Sequence, residues 1–358
     1  MGFGFLALPD AADYVLEDAT VPASLIDGPA PGPVRDGLVR ADVVVAGGVI
    51  QALTAPGAAR PADRASVALD GAMLFPCFVD AHTHLDKGHI WPRAANPDGT
   101  FPGALAAVGA DRERNWSADD VRARMTFALK AAHAYGTAAI RTHLDSLPAQ
   151  IGISWPLFAE IRQEWRGRID LQASSLCGID IAVEPGYLDR MASVATATGG
   201  GLGCVTYMSP NLPGGLDAIF RTALDAGLPL DFHVDETLDP AADSLRQIAE
   251  AAIRHGWRAN GRGTIVVGHC CSLSVQADEV VSATLDRIAE AGLAVVSLPM
   301  CNMYLQDRQA GRTPRRRGVT LLHEMKARGI PVMVASDNTR DPFYAYGDLD
   351  MLETYREA

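Results

Sequence analysis

The chain has 358 residues, 48% of them hydrophobic and 21% charged, with a formal net charge of −12 at pH 7. This composition suits one large core, or a core plus a small satellite domain, and excludes an intrinsically disordered chain. The acidic surplus repels a phosphate backbone, so nucleic acid is not expected as a partner. No uncharged apolar stretch is long enough to span a bilayer.

The run Met1 to Leu6 is apolar but lacks a basic start, and Asp10 and Asp13 follow at once, so it does not resemble a signal peptide. A cytoplasmic protein is the default expectation. Residues 1–74 hold short β-like pieces at 14–16, 41–46 and 66–69, separated by turn residues that include the stretch Gly28 to Pro33. They predict a small β domain.

From Phe75 onward, apolar strand-like runs alternate with amphipathic helical ones, the pattern of βα units around a parallel sheet. Strand candidates fall at 77–82, 138–144, 169–176, 201–207, 228–234, 263–269, 293–299 and 330–336. Eight repeats in this length fit a (β/α)8 TIM-type barrel over 75–358, with the N-terminal residues forming a β-sandwich-like domain. No G-x-G-x-x-G follows the first strand, which argues against a dinucleotide fold. One helix is well marked: Ser117 is an N-cap candidate, apolar residues recur at 121, 125, 128, 129 and 132, and Gly136 supplies the stop.

The first barrel strand runs into His82-Thr83-His84. Strand alternation points both imidazoles to one side, and such a pair is half of a transition-metal site. Alone the pair is weak. Three further candidates, His233, His269 and Asp337, also close apolar runs, and barrel sites assemble where strands end. Six cysteines show no C-x-x-C spacing and read as reduced, mostly buried thiols. The basic cluster Arg312 to Arg317 reads as a solvated loop or a local anion contact.

The ordered set His82-Thr83-His84-Leu85-Asp86, His233-Val234-Asp235-Glu236, His269 and Ser336-Asp337-Asn338 resembles the amidohydrolase superfamily, in particular its cytosine deaminase-like branch. Arg141 to Asp145, Asn302 to Gln306, Pro314 to Gly318 and Asp341 to Tyr344 share the texture of that branch. The resemblance implies that His82, His84, His233 and Asp337 hold one divalent metal ion, zinc or iron(II). Two-metal relatives carry a bridging lysine at the fourth strand, where this chain has Cys204 to Met208.

In the implied reaction the metal lowers the pKa of water, hydroxide attacks an amidine-type ring carbon, and ammonia leaves. Glu236 shuttles protons, Asp337 is an alternative first acceptor, and His269 steadies the hydroxide or the developing oxyanion. Asp80 is either a partner that orients the metal ligands or a strand-end cap.

A glutamine that reads the pyrimidine edge in that branch is missing from Ser174 to Ile179, and Asn338 stands where the branch has an aspartate. The expected substrate is a small cytosine-like amino heterocycle. An aminotriazine, pterin or cyclic urea is the alternative, and a non-catalytic metal-binding barrel is a less favoured one. Trp91, Leu176 and Asn338 are candidate substrate contacts. The insert from Lys87 to Phe101 is either a lid or a surface loop, with Arg93 either meeting an anionic substituent or lying at the surface. The resemblance also implies further C-terminal strands completing the small β domain. Oligomeric state, a homo-oligomer included, is open.

Overall fold

The computed structural model describes residues 6–58 and 64–358, so the run Met1 to Leu6 lies, but for Leu6, outside the described residues. The chain divides into two compact units, Met1–Cys77 and Phe78–Ala358, a mixed α/β arrangement.

The first unit is a four-stranded sheet in the order β3-β2-β1-β4, built from β1 (Tyr14–Pro22), β2 (Leu38–Ala46), β3 (Val49–Thr54) and β4 (Ala65–Ala68). β1 pairs antiparallel with β2, and the register shifts between Leu16 and Ala19 around Asp18, whose φ is 58°. Leu16, Ala19, Val21, Val39, Val43 and Val45 form its core. β3 carries no expectation from the sequence. Its hairpin to β2 turns on Gly47 and Gly48 at φ 59° and 74°, the positive-φ pair that a tight two-residue turn demands.

The second unit contains eight parallel strands. β5 (Phe78–Thr83), β6 (Thr137–Asp145) and β7 (Asp170–Leu176) form one array. β8 (Val205–Thr206), β9 (Asp231–Val234), β10 (Val266–His269), β11 (Ala294–Ser297) and β12 (Val332–Val334) form another. Parallel bridges Ser174↔Gly201 and Gly178↔Val205 join β7 to the approach and start of β8, and Thr83↔Asp337 joins the end of β5 to the segment after β12. All eight strands lie within or overlap the expected segments, although several are shorter than the apolar runs that signal them.

The helix Ala118–Ala134 illustrates why the connections form. Ser117 accepts a hydrogen bond from the Asp120 amide, Asp119 and Asp120 sit in the first turn, and Gly136 follows at φ 82°. Its buried face carries Val121, Met125, Ala128, Leu129 and Ala132. Full burial of each larger side chain contributes roughly 1.5–3 kcal/mol. A second helix, Phe101–Asn115, occupies a stretch the sequence reading left without an element, capped by Thr100, which accepts from the Gly103 amide.

Candidate metal centre and active-site cavity

His82 and His84 leave β5 with their Nε2 atoms directed at the same point as that of His233, from the end of β9. His82 Nε2 lies 3.0 Å and His84 Nε2 3.2 Å from His233 Nε2. Asp337 Oδ1 is 3.1 Å from His84 Nε2 and 3.7 Å from His82 Nε2. The Asp337 amide donates to the carbonyl of His82 at 3.0 Å, which seats this residue beside β5. Asp337 adopts φ 65° and His269 φ 69°, left-handed backbone that costs a non-glycine residue of order 1–3 kcal/mol and that clusters at functional sites. Gly268 is required by proximity: a Cβ there would stand 2.9 Å from the His82 ring.

Burial, and then the neighbouring imidazoles and Lys87, hold His82 well below the usual histidine pKa, and burial does the same at His84 and His233. The rings are therefore neutral at pH 7. Neutral imidazoles meeting nitrogen to nitrogen beside a carboxylate are a donor set suited to a divalent transition metal. Among the described residues, Nδ1 of His82, His84 and His233 and both oxygens of Asp337 are buried without a hydrogen-bond partner. His82, His84 and Asp337 form one group able to hold an ion, and His82, His233 and His269 another.

Asp80 accepts from the Ser336 amide at 3.1 Å and from its hydroxyl at 2.5 Å. Of the two roles open to it, these bonds make it a strand-end tie next to Asp337. Burial lifts its pKa to about 7.

The side chains border a cavity of about 300 Å³ lined by His84, His233, His269, Glu236, Leu176 and Asn338, among others. Asn302 donates to Glu236 Oε1 at 3.3 Å and lies 3.1 Å from His269 Nδ1, while Glu236 Oε1 and His269 Nδ1 are 3.6 Å apart. Burial, and then the charge of Asp337, push the Glu236 carboxyl well above the usual range. A larger basic cavity of about 690 Å³ beside Arg312 to Gly318 contains none of these groups. There Asp307 organises the arginine loop by accepting from the Arg312 side chain and the amides of Arg315 and Arg316.

Leu176 and Asn338 line the site cavity, and Trp91 does not. The Trp91 amide instead donates to the carbonyl of Arg340. Arg93 is engaged by Asp111 and Asp120, which leaves no role for it toward a substrate anion. Phe101, Leu105, Val108 and Arg112, on the helix Phe101–Asn115, form an unanticipated wall.

His143 carries no role from the sequence. Its ring centroid is 4.0 Å from that of His82 and 4.5 Å from that of His233, and Nε2 lies 3.8 Å from Asp231. The available signal was the period-two spacing of Arg141, His143 and Asp145 on β6, which puts all three on one face.

The fold and site define a hydrolase of the deaminase type, and the chain belongs to the amidohydrolase family. The Amidohydrolase family pattern matches residues 188–358. The chain is 52% identical over its whole length to the pterin deaminase of Rhizobium rhizogenes strain K84, covering 80% of that protein. It is 23% identical over 295 residues to the N-isopropylammelide isopropyl amidohydrolase of Pseudomonas sp. strain ADP, with 79% of this chain and 67% of that one aligned. In fold it is similar to 5-methylcytosine deaminase from Klebsiella pneumoniae liganded with phosphonocytosine, with a TM-score of 0.80 and 23% identity over 96% of this chain and 80% of the other. No helix among the described residues is long and apolar enough to cross a membrane.

Proposed function

We propose that the protein hydrolytically deaminates an amino-substituted heterocycle, and that the ring is of the pterin type. The observation that carries the reading is the convergence of His82, His84, His233 and Asp337 on one point beside a cavity that also holds Glu236. The pterin ring is favoured over cytosine by the relative at 52% identity. It is favoured also by the cavity wall, which carries Leu176, Cys177 and Gly178 where a pyrimidine-reading glutamine is expected.

In this reading His82, His84, His233 and Asp337 hold a single divalent ion. When bound, such an ion supplies Lewis acidity that makes hydroxide available near neutral pH. The chain does the rest. Glu236 carries a proton at the cavity wall and delivers it to the ring nitrogen, and Asn302 fixes the orientation of that carboxyl. His269 offers its free Nε2 toward the reacting oxygen, held in place by Asn302 at the other ring nitrogen.

The domain reading belongs to the same proposal: a small β domain over 1–74 and a catalytic domain over 75–358. The parallel order of β5 to β12, with bridges at both junctions between the arrays, supports a closed (β/α)8 barrel. The test is ammonia release from pterin, cytosine and aminotriazine by protein of measured metal content. Turnover of pterin is expected, and no ammonia from any ring with a fully metallated preparation would remove the reading.

A further inference from the structure

Lys87 lies three residues past His84, and the chain turns tightly there, with the amides of Lys87 and Gly88 both donating to the carbonyl of His84 at 3.4 and 3.1 Å. The turn brings the Lys87 side chain back to the cavity it shares with His84 and Glu236, where the side chain is only 8% exposed. An ammonium has three donors and no acceptor. The one ion pair that Lys87 forms among the described residues is to Asp145 Oδ1 at 3.5 Å, longer than a good hydrogen bond. Asp145 gives its other oxygen to Arg112 at 2.5 Å.

Lys87 also feels the charges of Asp341, Asp86 and Asp337, none of which forms an ion pair with its ammonium among the described residues. Asp86 accepts from the Asp145 amide and from Ser154, and Asp341 accepts from Asn338 and from the amides of Phe343 and Tyr344. The Phe343 ring centroid, 5.1 Å from Nζ, supports the cation from an apolar side and gives it no acceptor. A nearly buried cation with donors to spare, facing a cavity that receives a flat ring, needs an acceptor from the ligand.

We propose that Lys87 determines specificity by donating to an oxo oxygen on the substrate ring, which orients the ring toward His84 and Glu236. The proposal rests on the deaminase reading above. An oxo group meets the ammonium as an acceptor, whereas a ring carbon bearing only hydrogen leaves the charge without a partner. That penalty is the basis on which sites built for a polar group reject analogues lacking it.

The experiment compares kcat/KM for ammonia release from 2-amino-4-oxopteridine and from 2-aminopteridine, which lacks the oxo group, in the wild type, Lys87→Met and Lys87→Gln. The wild type is expected to prefer the oxo ring. Lys87→Met should shrink that preference by roughly 10- to 100-fold, the range of a hydrogen bond to a charged group, with Lys87→Gln between them. Equal losses on both rings in the variants would assign Lys87 a structural role and overturn the proposal. A wild type without preference for the oxo ring overturns it even if the variants do not fold. Metallated wild type that releases ammonia from neither pteridine removes the pterin reading, and this proposal with it, while ammonia from cytosine or aminotriazine in the same preparation would keep the deaminase reading.

Discussion

Two polar clusters in the second unit are built from similar residue types and differ in how completely they are bonded. Around Asp111, the carboxylate accepts from Arg93 through two nitrogens, from Asn115 and from Trp116, and Arg93 continues to Asp120. Every polar atom of that carboxylate has a partner. Around His233, nitrogens face nitrogens, and both oxygens of Asp337 lack a hydrogen-bond partner. Buried polar groups are normally paired, so the saturated cluster describes a stabilising tie, and the unsaturated one is a donor set that fits a metal ion.

The comparison is broken most severely by removing a member of the unsaturated cluster. His82→Ala should lose both the bound ion and ammonia release, as measured by elemental analysis and a coupled ammonia assay. Glu236→Gln should retain the ion and lose about 10²- to 10⁴-fold in kcat, the scale of a positioned acid or base. Full activity in Glu236→Gln would overturn its role as proton carrier.

The pH dependence of stability sharpens the contrast because carboxylates in the two regions shift in opposite directions. Burial raises Asp111, but its bonds to Arg93, Asn115 and Trp116 outweigh that and leave it below its ordinary 3.8. Its contribution is therefore present above that value and lost as pH falls through the lower folded pKa. Burial lifts Asp341 from 3.8 to about 6, against the pull of Lys87 and the bond from Asn338. Its contribution is complete below 3.8 and lost as pH rises through 6.

Relative to the wild type, Asp341→Asn should accordingly gain on the order of 3 kcal/mol between about pH 4 and pH 7. Asp111→Asn should lose ground as pH rises through the acid range. Urea denaturation of chelator-treated protein reads both trends without a contribution from a bound cation. The same slope in both variants would remove the distinction.

The strand ends were legible because ligand-type residues closed apolar runs of known period: His82 and His84 share a face by alternation, His233 and His269 lie at the ends of β9 and β10, and Asp337 follows β12. The caps of Ala118–Ala134 were legible for a similarly local reason. The place of Trp91 was not legible because an aromatic in a long insert looks the same whether its backbone is tied to Arg340 or its ring faces a cavity. The helix Phe101–Asn115 escaped because its alanines, glycines and scattered charges give a weak apolar period. His143 escaped because its meaning depends on the ring of His82 4.0 Å away, and sequence spacing does not encode that distance. Lys87 follows the metal pair in the text, but only the turn at His84 brings it back to the cavity.

The smallest expected effect concerns the wall where the cytosine-reading glutamine is missing. Gly178 has an ordinary extended backbone, φ −71° and ψ 148°, so its glycine is not needed for backbone freedom. An added Cβ would stand 2.9 Å from the Tyr207 hydroxyl. That hydroxyl donates to Asp180 Oδ2 at 2.8 Å, and Asp180 also accepts from Ser209 and Asn211, which pins the phenol at the cavity edge. Gly178→Ala has to push aside only the end of one side chain, so the strain should be about 1 kcal/mol and the protein should fold. If Tyr207 borders the bound ring, the variant should raise KM about fivefold with little change in kcat, the signature of lost ground-state binding. Asp180→Asn, which weakens the pin without adding volume, should move KM in the same direction and by less. An unchanged KM in Gly178→Ala would place Tyr207 outside the substrate's reach and leave the helix Phe101–Asn115 as the wall that sets the ring's position.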